Sequence, residues 1–208
     1  MTDQTDAKVY IVDDDESVRA SLRALLGQVG LAAADFPSAE SFLKAVRQDS
    51  RGCLLLDVRM PGMGGLRLQE ILQERGVSLP IIVLTGHADV PMAVRALKAG
   101  ASDFVEKPFN PQDLLERIEI CLASDAQAKA AAERQQQAAS IISELTAREQ
   151  EVLSLLVTGK PSKVIASKLG ISEKTVDVHR SNVMRKAGVR SVAELVHLWL
   201  LAHPTNAE

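Results

Sequence analysis

CLLLD at residues 53–57 and IIVLT at residues 81–85 are apolar up to their last residue. A strand with one wet face alternates apolar and polar side chains. A strand that is apolar throughout has both faces covered, as in a parallel sheet packed between helices. Three more short runs flank these two, at Val9–Val12, Ala33–Phe36 and Asp103–Val105. Amphipathic stretches lie between and after them, at Ser17–Val29, Ala39–Arg47, Leu66–Glu74, Pro91–Ala99 and Gln112–Leu122. Five repeats of strand then helix predict a parallel α/β domain. Punctuation agrees: Ser38 can cap the second helix, Asn110-Pro111 opens the fifth and Gly100 ends the fourth.

The 208 residues, 46% of them hydrophobic, can hold one large domain or two modest ones. The net charge of −3 hides an asymmetry. Residues 1–123 carry 13 Lys/Arg against 18 Asp/Glu, whereas residues 143–208 carry 9 against 7. An acidic front and a mildly basic back suit a regulatory domain joined to a nucleic-acid binder. Cys53 and Cys121 lack metal-ligand spacing and sit in apolar surroundings, so they read as buried reduced thiols. The polar start MTDQTDAK does not resemble a signal peptide. No apolar run approaches the ~20 residues of a membrane span. The expected location is cytoplasmic, with no membrane partner.

Three parts follow: a domain over 1–123, a linker over 124–142 and a second domain over 143–208. The linker is rich in Ala, Gln and charge and lacks Gly and Pro. It reads as a helix, with a flexible tether as the alternative. The second domain is all helical, with four helices. Thr146 and Glu149 form a capping box before the first, which Gly159 ends. Lys163–Leu169 is short. Gly170-Ile171 makes a tight turn, and Ser172 caps a third helix to about Ala187. Ser191 and Glu194 suggest a second capping box, for a last helix to about Ala202. Two helices across a short Gly-containing turn are a helix-turn-helix.

Charged groups collect where ligands bind in an open α/β sheet, at the carboxyl ends of the strands. The first strand runs into Asp13-Asp14-Asp15, the third into Asp57, and Lys107-Pro108 follows the fifth. If the strand order is 2-1-3-4-5, Asp13, Asp14 and Asp57 converge. Clustered carboxylates call for a cation, and Mg²⁺ suits a few carboxylates plus phosphate oxygens. Asp14 and Asp57 are expected as direct ligands, Asp13 through water, and the Arg59 carbonyl as a further ligand. Lys107 would pair with a phosphoryl group or with Asp57, and Thr85 could hydrogen-bond a phosphoryl oxygen. Such a pocket suits phosphoryl transfer to Asp57, which is mostly positioning and charge neutralisation. Asp15 reads as a solvated residue at the start of a helix.

VDDDESVRASL, LLLDVRMPGMGG, IIVLTGH and DFVEKPF resemble the four motif blocks of receiver domains, over about residues 7–123. The resemblance implies a flavodoxin-like doubly wound five-stranded sheet of order 2-1-3-4-5. It also implies phosphorylation of Asp57 by a sensor histidine kinase and a cis Lys107-Pro108 bond. Thr85 and Phe104 become switch residues, Thr85 moving toward the phosphate and Phe104 turning inward. Without the resemblance Phe104 reads as a core aromatic. Arg59 and His87 would tune phosphate lifetime.

On the third helix of the second domain, Val176, His179, Val183 and Ala187 share an inner face. Lys174, Asp177, Val178, Ser181 and Arg185 share the other. Lys163, Lys174, Thr175, Arg180, Arg185 and Lys186 are candidate phosphate contacts, and Asp177, Val178 and Ser181 candidate base readers. An outward Asp is odd beside phosphates unless it accepts from a cytosine amino group or orients a neighbouring Arg. The last helix is apolar over a wide arc, and its surplus would cover the first domain at rest or form a two-fold interface on DNA.

The stretch LTAREQEVLSLLVTGKPSKVIASKLGISEKTVDVHRSNVMRKAGVRSVAEL resembles the LuxR-type four-helix DNA-binding domain, over about residues 143–203. With the receiver blocks, the chain is similar to the FixJ branch of NarL/FixJ response regulators. It departs at Pro161-Ser162, where the family often carries Ser-Asn, which puts a helix cap or contact there in doubt. The resemblance implies a transcription factor. Its partners would be promoter DNA, the kinase, RNA polymerase and a second copy after phosphorylation, on half-sites about 10 bp apart or multiples of that. Beyond transfer to its own Asp57 and slow self-dephosphorylation, no enzymatic activity is expected. A haloacid-dehalogenase-type phosphatase would want a second Asp where Arg59 stands. A constitutive DNA binder would not need the acid pair, Thr85 and Lys107.

Overall fold

The computed structural model describes residues 7–86 and 90–204; His87 lies outside them. The chain forms two compact units, Met1–Ala128 and Lys129–Glu208.

In the first unit, β1 (Lys8–Val12), β2 (Ala33–Phe36), β3 (Gly52–Asp57), β4 (Ile81–Thr85) and β5 (Asp103–Glu106) form one parallel sheet. The order is β2-β1-β3-β4-β5, as the resemblance to receiver domains implies. Helices α1 (Glu16–Gln28), α2 (Ala39–Ala45), α3 (Gly65–Glu74) and α4 (Val90–Lys98) connect the strands, and α5 begins at Pro111. Alternate strand residues feed two cores. Val12, Leu54, Leu56 and Val83 meet Phe42, Leu68 and Leu72 on one face. Val9, Ile11, Cys53, Leu55, Ile82 and Leu84 meet Leu22, Leu26, Leu114 and Ile118 on the other. Every side chain of β3 is therefore covered, which is why it reads as one apolar run. Cys53 and Cys121 are buried free thiols in the second core.

Helix α5 runs unbroken from Pro111 to Ser143, so residues 124–142 are helical rather than a loose tether. Its Asp125 is buried and belongs to the first unit. Arg51 donates to the Asp125 carboxylate through Nε at 3.0 Å and Nη2 at 2.8 Å, and the Gly52 amide donates to it at 3.0 Å. Gly52 must be glycine: its φ is +127°, and a Cβ there would lie 1.8 Å from the Lys8 carbonyl oxygen. This clamp ties α5 to the entry of β3, at the opposite end of the strand from Asp57.

In the second unit, α6 (Ala147–Leu156), α7 (Ser162–Leu169), α8 (Glu173–Ala187) and α9 (Val192–Ala202) enclose a core. Val152, Leu153, Leu156, Ile165, Val176, Val183 and Leu195 fill it, together with Ile142 and Leu145 at and just beyond the end of α5. Gly170 and Gly188 end α7 and α8 in the left-handed conformation, at φ 65° and 67°. On α9, Leu195 is buried, Trp199 packs against the core and Leu200 is exposed.

Because Asp125 is buried, its pairing with Arg51 has a measurable consequence. Arg51→Met leaves a buried carboxylate with only the Gly52 amide, and should destabilise the first unit by about 3 kcal/mol in urea melts. Arg51→Met combined with Asp125→Leu should recover most of that loss. Equal losses in both variants would mean the two side chains are not coupled.

Candidate phosphoacceptor pocket and DNA-binding face

Register builds the pocket. Val12 lies beside Leu56, so Asp13 and Asp57 leave adjacent strands at the same level. Thr85 pairs with Glu106, and the Lys107 amide donates to the Thr85 carbonyl at 2.7 Å. Thr85 and Lys107 thereby reach the same edge. The Lys107-Pro108 bond is cis, as the resemblance to receiver domains implies. Gly65 lets α3 start against the Asp57 backbone, since a Cβ there would lie 2.3 Å from the Asp57 carbonyl oxygen.

Asp13, Asp14 and Asp57 each present a carboxylate oxygen, and these lie within 4.8 Å of one another. Asp13 and Asp57 are buried, whereas Asp14 is exposed. The Lys107 ammonium donates to Asp13 at 2.6 Å and to Asp57 at 3.4 Å. Burial pushes the Asp57 carboxyl above its ordinary range, the Lys107 charge opposes that rise, and the Asp13 charge adds to it. Three carboxylates against one ammonium leave an excess of negative charge in hard oxygen donors. That donor set fits a small divalent ion such as Mg²⁺. Thr85 is buried at the end of β4. Arg59 is exposed, two residues beyond Asp57.

Phe104 is not a core residue. It is 39% exposed on β5, while its neighbour Val105 is buried. Asp15 caps α1, accepting from the Ser17 amide at 2.8 Å. Arg19, which sequence reasoning left out, is buried on α1 and donates to the Asp13 carbonyl at 2.7 Å. It also pairs with Asp35 and Glu16, so it fixes the backbone that presents the acid pair. A lone Arg six residues after Asp13 on a helical stretch gives no hint of this.

On the second unit, Lys163, Lys174, Asp177, Val178, Ser181 and Arg185 are exposed, whereas Thr175 and Arg180 are half-buried. Val176 and Val183 face the core, and His179 is half-buried with its Nδ1 enclosed. Thr175 engages the Ser172 cap, through its amide at 3.1 Å and its hydroxyl at 2.8 Å. Pro161 occupies the N-cap of α7 and supplies no side-chain cap. Lys186 was expected on a phosphate, but its ammonium donates to buried Glu149 at 2.7 Å. Glu149 also completes the capping box with Thr146. The Ser191 cap differs from the expected box: Glu194 reaches back to the Arg190 amide at 2.9 Å.

The Lys186 ammonium, helped by the Thr146 amide, holds the Glu149 carboxyl down to about 2. A depressed folded value means stability that is complete above the ordinary range, near 4.5, and lost as pH falls toward 2. Trp199, the only tryptophan, packs against this core and can follow the melt by fluorescence. Acidification from pH 4.5 to 2 should destabilise this unit. Lys186→Met should cost about 1.5–3 kcal/mol at neutral pH and flatten the acid dependence. An unchanged acid profile would contradict the pairing.

Residues 9–119 match the response regulator receiver domain, and residues 143–199 match the LuxR family of bacterial regulatory proteins. The chain is 44% identical over 200 residues to the transcriptional regulatory protein FixJ of Azorhizobium caulinodans, covering 96% of this chain and 95% of that one. It is 45% identical over 190 residues to the response regulator protein TodT of Pseudomonas putida, covering 91% and 84%. The structure of the response regulator StyR superposes with a TM-score of 0.85 at 49% identity, covering 94% and 98%. Full-length FixJ from B. japonicum gives 0.60 at 38% identity, covering 98% and 100%. With a receiver on a parallel sheet and a LuxR-type helix-turn-helix in one polypeptide, the chain belongs to the NarL/FixJ family of two-component response regulators that act as transcription factors.

Proposed function

We propose that Asp57 accepts a phosphoryl group from a sensor histidine kinase, and that this switches dimerisation and promoter binding. The observation that carries the reading is the convergence of Asp13, Asp14, Asp57 and Lys107 at one sheet edge. The Asp57 carboxylate is the nucleophile. Its oxygen bonds to phosphorus as the phosphorus–nitrogen bond to the donor histidine breaks, and no general base is needed. Lys107, already between Asp13 and Asp57, screens the arriving phosphoryl oxygens. Asp14 and Asp57 would hold Mg²⁺ directly, Asp13 through water and Arg59 through its carbonyl. When bound, the ion supplies positive charge to the carboxylates and the phosphoryl oxygens.

Thr85 would then turn its hydroxyl toward the phosphoryl group, and Phe104 would leave solvent for the space vacated. That remodels the surface from Val90 to Leu122, on which two receivers dimerise. The domain of residues 1–123 is the receiver, residues 124–142 carry the signal as a helix, and residues 143–208 bind DNA. Lys163, Lys174, Thr175, Arg180 and Arg185 would contact phosphates, while Asp177, Val178 and Ser181 would read bases. Lys186 stays with Glu149. RNA polymerase is the downstream partner. Among the described residues no helix is long and apolar enough to cross a membrane, and a promoter-binding role places the work in the cytoplasm.

Footprinting with and without acetyl phosphate tests this directly. Wild-type affinity for the target promoter should rise about tenfold or more on phosphorylation, and Asp57→Asn should abolish the response. A rise that persists in Asp57→Asn would contradict the assignment of the phosphoacceptor.

A further inference from the structure

We infer that Asp177 selects a cytosine in the promoter and that Ser162 orients its carboxylate to do so; this rests on the reading of α8 as the DNA-recognition helix. Asp177 is exposed near the start of α8, on the same face as Lys174, Val178 and Ser181. In a helix-turn-helix the N-terminal part of the second helix is the part that meets base edges. A carboxylate there is repelled by the phosphates around it, so it needs a compensating donor.

Of the two roles the sequence left open for an outward Asp, orienting an arginine is not the one this structure shows. The partner of Asp177 is the Ser162 hydroxyl, which donates to Oδ1 at 3.1 Å. Ser162 is free for this because the cap position of α7 is Pro161, one residue earlier, and the Ser162 hydroxyl is not spent on the helix terminus. The departure at Pro161-Ser162 thus acquires a use. It places a hydroxyl donor across the turn from the recognition helix, where it holds the carboxylate in one orientation.

An ionised carboxylate only accepts hydrogen bonds. With Oδ1 held by Ser162, Oδ2 remains for a donor on the DNA. In the major groove, guanine presents two acceptors and thymine one acceptor and a methyl group, so both repel or ignore a carboxylate. Adenine offers its N6 amino group beside the N7 acceptor, which opposes the same carboxylate. Cytosine offers its N4 amino group with no acceptor of its own beside it in the groove. Cytosine is therefore the base that Asp177 favours.

The test is selection of binding sites from random-sequence duplex DNA, using the full chain treated with acetyl phosphate. Wild type should enrich a motif with one position per half-site at which cytosine is preferred about tenfold. Asp177→Ala should flatten that position and leave the others. Asp177→Asn should move its preference to adenine, which asparagine recognises through N6 and N7. Ser162→Ala should weaken the cytosine preference several-fold at that position alone. A motif identical at every position for wild type, Asp177→Ala and Asp177→Asn would overturn the inference while leaving DNA recognition by α8 intact. Failure of wild type to enrich any motif would remove the recognition reading itself, and this inference with it.

Discussion

Two buried carboxylates, Asp13 and Asp57, share one ammonium, that of Lys107, at the carboxyl edge of the sheet. A third carboxylate, Asp14, lies within the same 4.8 Å cluster. Burial of Asp13 and Asp57 makes this excess charge costly, and the parallel pairing of β1 with β3 brings the two to the same level. The pocket is therefore poised for positive charge, and burial above all, with the Asp13 charge adding to it, raises the affinity of the Asp57 carboxyl for protons. Everything proposed for the signalling half follows from this crowding: the divalent ion, the phosphoryl group and the movement of Thr85.

The scaffold holds that crowding in place at both ends of β3. At one end Gly65 admits α3 against the Asp57 carbonyl. At the other, Arg51 and the Gly52 amide grip Asp125 on α5. The strand bearing the proposed phosphoacceptor is thus tied to the helix that continues to Ser143. In the second unit a comparable device works locally. Glu149 caps α6 and receives Lys186 from α8, which sets α8 against α6.

Much of this was legible in the sequence, because the signals were local or repeated. Apolar strands, strand-end acids, capping residues and helix-ending glycines identified the elements, and the resemblance to receiver domains supplied the strand order that the structure displays. What escaped were side-chain contacts whose spacing carries no pattern. Arg19 reaches the Asp13 carbonyl six residues back, while Arg51 with Asp125 and Lys186 with Glu149 join residues far apart in the chain. The linker is helical as its composition indicates, but its tie to the first unit leaves no such mark. Composition marks residues 124–142 as one helical segment, yet Asp125 near its start is buried and belongs to the first unit. Pattern alone reads Phe104 as a core aromatic; it lies exposed instead because β5 is an edge strand, where an aromatic residue facing outward has no helix obliged to cover it.

The central claim is most directly tested by titrating Mg²⁺ into the full chain, without phosphodonor, in a calorimeter. The account predicts saturable binding of about one ion per chain. Asp13→Asn and Asp57→Asn should each weaken it by about tenfold or more, while Asp15→Asn, at the cap of α1, should leave it unchanged. No saturable binding by wild type, or equal affinity in all four proteins, would contradict it.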